Sequence, residues 1–197
     1  MKLEYARTGA GAERKPVAYR LALSVEQRRY VVVQGSVGGA IVNLLLNGAI
    51  GWAITIGLTT FPVWKLIGVA GDLVGTAFGV AFGTCLAAKF SVRWDVARGK
   101  LAALALEPLS GAASTPWLSL LPDSVLVRSV VLGVLSVALF ALPALAVLWL
   151  SGEREMDRVA FIALKAGFSA VEAALVTPLI VIGAMLDVSR RAESRLA

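Results

Sequence analysis

Three ionisable residues, Asp72, Lys165 and Glu172, lie deep inside apolar runs of this 197-residue sequence. A charged side chain at membrane depth is costly, so each of the three needs a partner or water. In membrane proteins such residues mark ion or proton pathways, or they join helices through polar contacts. They are therefore the first candidates for chemistry.

Asp72 and Lys165 are predicted to form an ion pair. Each lies about seven residues past the start of its apolar run, which puts both about 10 Å below the same membrane surface at 1.5 Å per residue. The pair would either pin two helices together or take part in an ion or proton step. Both interpretations stay open.

Glu172 lies near the middle of the fourth apolar run, close to the expected bilayer midplane. It shares one helix face with Lys165 and Ser169, because seven residues span nearly two turns. Asn43 and Asn47 lie at similar depth in the first run, and buried amides seek donors and acceptors. We predict a midplane cluster of these two amides, Ser169 and Glu172, which either lines a transport path or only joins helices.

Four apolar runs must position these residues. They span 31–58, 66–88, 129–150 and 159–186, and each covers the roughly 20 residues needed to cross the bilayer core. The apolar fraction of 58% is above that of soluble domains. The predicted fold is an all-α membrane protein whose domain, residues 30–197, holds four transmembrane helices in two hairpins.

The basic residues predict the orientation of these helices. They concentrate in residues 1–29, in the middle loop 89–128 and in the C-terminal tail, whereas the loops 59–65 and 151–158 hold only Lys65, Arg154 and Arg158. Cytoplasmic segments carry the excess of Lys and Arg. We therefore expect both termini in the cytoplasm of a multi-pass protein of the plasma membrane, and the composition favours a bacterial inner membrane.

Two cytoplasmic segments are predicted to hold short interfacial helices. The basic arm, residues 1–29, includes Tyr19 and Arg20 in the segment 16–23, and both types prefer the headgroup level. A disordered arm is the alternative for this segment. The middle loop contains apolar stretches bounded by prolines, which also favours helices on the membrane surface.

Glycines at small-residue spacing predict tight helix packing. Removal of Cβ along one face lets another backbone approach closely. The second run has a glycine zipper at every fourth residue, and the first run has a less regular series: Gly71, Gly75, Gly79 and Gly83, and Gly35, Gly39, Gly48 and Gly51, respectively. The partner would be a helix of the same chain or of a second subunit.

A shift of 93 residues lays the first run on the third and the second on the fourth. It pairs Lys65 with Arg158 and Thr84 with Thr177. Some transporters contain such repeats. The alternative is that any two helical hairpins of similar length would align as well.

Several function classes have no support in the sequence. The net charge of +6 comes from residues between the apolar runs, so it indicates membrane orientation and not nucleic-acid binding. There is no histidine and only one cysteine, Cys85, and the common hydrolase and phosphate-binding motifs are absent. We expect no enzyme, no cofactor and no metal site.

The leading functional hypothesis is a small channel or transporter for an ion or small polar solute, in contact with membrane lipids and assembled as a homo-oligomer. Four helices hardly enclose a path alone, and glycine faces favour association. One alternative is a non-catalytic scaffold or assembly subunit whose polar residues serve only packing. Another is a lipid-binding surface protein that uses the basic middle loop.

Overall fold

Four long helices make up most of the structure. The computed structural model describes residues 19–21, 23–102, 104, 106–108, 122 and 124–196. Each helix is long and apolar enough to cross a membrane, which confirms that prediction: α1 (Val25–Ile54), α2 (Val69–Ala97), α3 (Val125–Ser151) and α4 (Arg158–Leu196).

The helix ends differ from the predicted ones for local reasons. α1 begins six residues early because Ser24 and Gln27 form a capping box, in which the Gln27 N–H donates to Ser24 Oγ and the Ser24 N–H donates to Gln27 Oε1. It ends at Ile54, where the Thr55 hydroxyl bonds to the Gly51 carbonyl and Gly57 adopts a φ of 80°. α2 continues past residue 88 into the predicted loop.

Both peripheral helices contain a widened, π-helical segment. These segments are Val31–Gly38 in α1 and Val137–Ala141 in α3. Pro143 explains the second one, because its ring nitrogen cannot donate to a carbonyl one turn earlier. Pro178, by contrast, lies within a continuous stretch of α4.

Short antiparallel strand pairs close the two ends of the bundle. β2 (Thr60–Pro62) pairs with β4 (Glu155–Asp157), and β1 (Tyr19–Leu21) pairs with β3 (Leu106–Pro108). The end that carries β2 and β4 is called the loop end, and the opposite end is called the terminal end. The predicted interfacial helices are therefore wrong for 19–21 and 106–108, where backbone groups pair between segments. Residues 1–18 and most of 109–123 lie outside the described residues.

The helices pack in the order α1, α4, α2, α3. α1 packs on α4, α4 on α2, and α2 on α3, so α4 and α2 form the centre. One hydrophobic cluster, around Phe61, Leu73 and Phe161, fills the loop end. Another, around Val92 and Met185, fills the terminal end.

The contacts between the two halves follow the 93-residue shift. Around a two-fold axis, a residue of one half contacts the equivalent residue of the other half. Pro62 lies opposite Glu155 at one end of the β2–β4 pair, and the central ion pair joins Asp72 to Lys165. In both cases the two residues are 93 positions apart. The packing of α1 on α4 likewise corresponds to that of α3 on α2. These contacts fit a pseudo-two-fold axis between α2 and α4.

Candidate functional site

The predicted partners Asp72 and Lys165 are in contact. Lys165 Nζ lies 2.6 Å from Asp72 Oδ1 and 2.8 Å from Oδ2, and it also donates to Thr76 Oγ1 at 2.8 Å. These three acceptors match the three donors of an ammonium group. The Lys165 side chain is only 4% exposed, so this saturation offsets its burial.

The start of α2 favours the Asp72 carboxylate. Gly68 caps the helix in an extended conformation, and Asp72 lies in the first turn. Free backbone N–H groups at a helix N-terminus stabilise a negative charge. The helix end and Lys165 therefore stabilise the same carboxylate.

Glu172 is fully buried, at 0% exposure. Its carboxylate interacts with the Ser136 side chain of α3. Within the described part of the chain, neither carboxylate oxygen has a hydrogen bond of standard geometry. The contact between α3 and α4 thus holds a carboxylate with little compensation, an arrangement that is expensive in a low-dielectric interior.

The predicted midplane cluster is divided between two faces of α4. Ser169 faces α1, because its Oγ lies 3.1 Å from the Asn43 carbonyl oxygen. Glu172 is rotated by about 60° from Ser169 around the helix, onto the face of Lys165. Among the described residues, Glu172 makes no hydrogen bond to Asn43 or Asn47, so the predicted cluster is not joined through this carboxylate.

The two amides bond to their own helix. Asn43 Nδ2 donates to the Gly39 carbonyl at 2.9 Å, and Asn47 Nδ2 donates to the Asn43 carbonyl at 3.2 Å. Their side chains also line a surface groove between α1 and α2. We call this surface the lateral groove.

The lateral groove has two parts that share Asn43. The part towards the loop end has a volume of about 580 Å³, and the part towards the terminal end about 690 Å³. Polar side chains line both parts. From the loop end they are Lys165, Asp72, Thr76, Asn47 and Asn43, followed by Thr84, Thr177, Gln34, Ser91, Tyr30 and Asp95.

The lateral groove is long enough to cross a membrane. Asp72 lies near its loop end and Asp95 at its terminal end, where the Tyr30 hydroxyl donates to the Asp95 carboxylate at 2.7 Å. Both acids belong to α2, and they lie about 35 Å apart at 1.5 Å per residue. The hydrocarbon core of a bilayer is about 30 Å thick.

The two glycine series have opposite surroundings. A Cβ built at Gly39 would lie 2.9 Å from Thr177 Oγ1, and one at Gly51 would lie 3.2 Å from Lys165 Cδ, so the α1 glycines pack tightly on α4. A Cβ at Gly75, Gly79 or Gly83 would meet no described atom within 4 Å. The regular α2 series therefore makes no close helix contact within the described chain.

The sequence analysis missed a second ion pair, between Arg128 of α3 and Asp187 of α4. The two side chains form a bidentate contact, and Arg128 is buried. The sequence analysis treated Arg128 as part of the basic middle loop. Its position could have indicated the pair, because Arg128 directly precedes the third apolar run and Asp187 directly follows the fourth.

Thr177 is a polar residue to which the sequence analysis gave no role beyond its match with Thr84. Its Oγ1 has no hydrogen-bond partner among the described residues, and Thr177 is 6% exposed. It lines the terminal-end part of the lateral groove.

The described residues include no group of three or more His, Cys, Asp and Glu that could hold a metal ion. The arrangement is thus a membrane bundle with one saturated ion pair, one poorly compensated carboxylate and one long groove in which a row of polar side chains lies among apolar ones. No known protein family, curated protein or solved structure matches this chain.

Proposed function

We propose that this chain is a membrane transport protein that moves an ion or a small polar solute along the lateral groove. The observation that carries the proposal is the row of polar side chains along a groove of membrane length. Polar groups at membrane depth are costly, and those that are kept there mark substrate and ion pathways.

Each part of the groove has a distinct role in this proposal. The Asp72–Lys165 pair lies at the loop end. A charged solute that enters there must compete with one member of the pair for the other. Asn47 and Asn43 offer amide oxygens and N–H groups in the middle, which replace part of a hydration shell. Glu172 lies outside the groove, in the contact between α3 and α4, and is not assigned to the path.

A flux measurement in liposomes tests this function. The purified protein is reconstituted, and the release of ions and small uncharged solutes is followed with fluorescent reporters. Replacement of both Asn43 and Asn47 by Leu removes the middle polar groups, and we expect the flux to fall by about tenfold or more. Leu139→Phe, on an exposed face of α3, is the matched control and should keep the wild-type flux.

An unchanged flux in the folded double variant would contradict the proposed path.

The ion pair is also consistent with a scaffold, since all three Lys165 donors are satisfied within the bundle. A scaffold predicts no flux of any solute by the folded wild-type protein.

Orientation is part of the same proposal. We place the terminal end in the cytoplasm and the loop end outside, because basic residues concentrate near the termini. Single cysteines at Glu153 and Arg191, each in a Cys85→Ala background, test this with a membrane-impermeant thiol reagent on intact cells. Labelling at residue 153 and protection at residue 191 are expected, and the reverse pattern would overturn the orientation.

A further inference from the structure

The open side of the lateral groove differs from the equivalent place in the other half of the chain. The 93-residue shift relates Gly75, Gly79 and Gly83 of α2 to Phe168, Glu172 and Val176 of α4. It also relates Asn43 of α1 to Ser136 of α3. In one half the Glu172 side chain reaches Ser136, whereas in the other half Gly79 leaves empty space opposite Asn43.

The lateral groove opens sideways, so the polar side chains among its apolar lining are exposed to the bilayer. None of the described residues covers the α2 glycines on that side. Thr177 lines the groove, and its buried hydroxyl, which faces Gly39 of α1, has no partner among the described residues. An unsatisfied polar group in hydrocarbon is costly, so the groove favours an occupant that brings polar atoms of its own.

Both rims of the groove suit an amphiphilic molecule. The large apolar side chains Leu66 and Ile67 stand exposed at the loop end, at 92% and 85%. Exposed Phe90 and Trp94 stand at the terminal end, where the Arg98 guanidinium lies 4.2 Å from the centre of the Trp94 ring. Aromatic and Arg side chains are enriched at the headgroup level, and arginine binds phosphate well.

We infer that the substrate class of the groove is a bilayer phospholipid, whose polar headgroup moves along the groove while its acyl chains stay in the surrounding membrane. This inference rests on the proposed function, and it extends the small polar solute of that proposal to a polar headgroup that carries acyl chains. A closed pore admits only molecules that leave the lipid phase completely. An open groove of membrane length, with polar side chains along it, lets the headgroup cross while its acyl chains stay in the membrane.

A helix of a second copy is the other candidate occupant, because glycine series favour helix contacts. The exposed faces of a second copy are largely apolar, as at Leu45, Leu139 and Val171. Such a face would leave the polar side chains of the groove without partners. The lining therefore suits a headgroup better than a helix.

Lipid translocation in vesicles tests the inference. Liposomes contain a trace of phospholipid with a fluorophore on one acyl chain and a natural headgroup, and dithionite added outside bleaches the outer leaflet. Protein-free vesicles should lose about half of the signal, and vesicles with the wild-type protein should lose nearly all of it. Gly79→Trp fills the groove and should slow the loss by about tenfold or more.

The control is Gly167→Trp, since a Cβ at Gly167 also meets no described atom within 4 Å and this residue does not line the groove. It should keep the wild-type rate. Solute flux is measured in the same vesicles. Solute flux without lipid movement would overturn the lipid inference and leave the proposed function standing. If the folded wild-type protein moved neither solute nor lipid, the proposed function would be wrong.

Cross-linking separates the two occupants. Gly79→Cys in a Cys85→Ala background is oxidised in membranes, with Leu139→Cys as the control at an exposed α3 position. A monomer at residue 79 supports the lipid route. An efficient dimer there, absent at residue 139, would show that a second copy closes the groove and would overturn it.

Discussion

The α1–α2 side and the α3–α4 side of the bundle are related by the 93-residue shift, but their contents differ. On the α3–α4 side, Glu172 is fully buried and interacts with Ser136. On the α1–α2 side, Gly79 and Asn43 face open space. One sequence half thus fills the position with a carboxylate, and the other leaves it vacant.

The difference teaches that small residues have two uses in one bundle. The α1 glycines let α1 approach α4 closely, as at Gly39 and Gly51. The α2 glycines keep the floor of a groove clear. Spacing along the sequence does not distinguish these uses, because both series place glycine on one face of a helix.

The largest expected effect comes from the Asp72–Lys165 ion pair, which joins the two central helices α2 and α4. Lys165→Met leaves the Asp72 carboxylate without its ammonium partner, and we expect a loss of about 3–5 kcal/mol in the free energy of unfolding. Asp72→Asn combined with Lys165→Met should recover most of this loss, because no lone charge remains. Denaturant unfolding in bicelles measures both variants. A double variant as unstable as Lys165→Met would show that the pair does more than compensate charge.

The glycine comparison predicts an intermediate effect. Gly39→Val forces side-chain atoms against Thr177, and overpacking of this kind costs about 1–3 kcal/mol. Gly79→Val adds its methyl groups to open space and should change the unfolding free energy by less than about 0.5 kcal/mol. The same unfolding assay compares the two. Equal costs would mean that the α2 face is as closely packed as the α1 face.

The smallest effect is expected at the equivalent polar positions of the two sides. Ser136→Ala removes the hydroxyl that interacts with Glu172, and polar contacts between membrane helices average about 0.6 kcal/mol. Asn43→Ala removes only a bond to a carbonyl of its own helix, so its effect should be smaller still. A larger loss at Asn43 than at Ser136 would reverse the assignment of the filled and vacant sides.

The ion pair and the predicted cluster show how far depth arguments reach. Depth along a helix follows from counting at 1.5 Å per residue, so Asp72 and Lys165 could be matched from sequence. Glu172 was matched by depth to Asn43 and Asn47 in the same way, but among the described residues no hydrogen bond joins it to them. Equal depth does not bring two side chains together unless their helices are neighbours on the correct face.

The face of Glu172 was in fact accessible to reasoning. It shares a face with Lys165, and Lys165 points at α2. Glu172 lies about 20° from Lys165 and about 60° from Ser169, the residue that bonds to α1, so it is turned away from Ser169 towards α2 and α3. The strand pairs were not accessible in this way, because residues 19–21 and 106–108 find each other only after the helices are packed.

The sequence by itself determined the four membrane-length helices, their approximate ends and the pairing of Asp72 with Lys165. Hydrophobic length and the cost of buried charge act locally, so they can be derived from the order of residues. The tertiary structure alone decided the order α1, α4, α2, α3, the partner of Glu172 and the vacancy beside Gly79. These depend on which helix faces meet, and several arrangements of four apolar helices satisfy the same hydropathy.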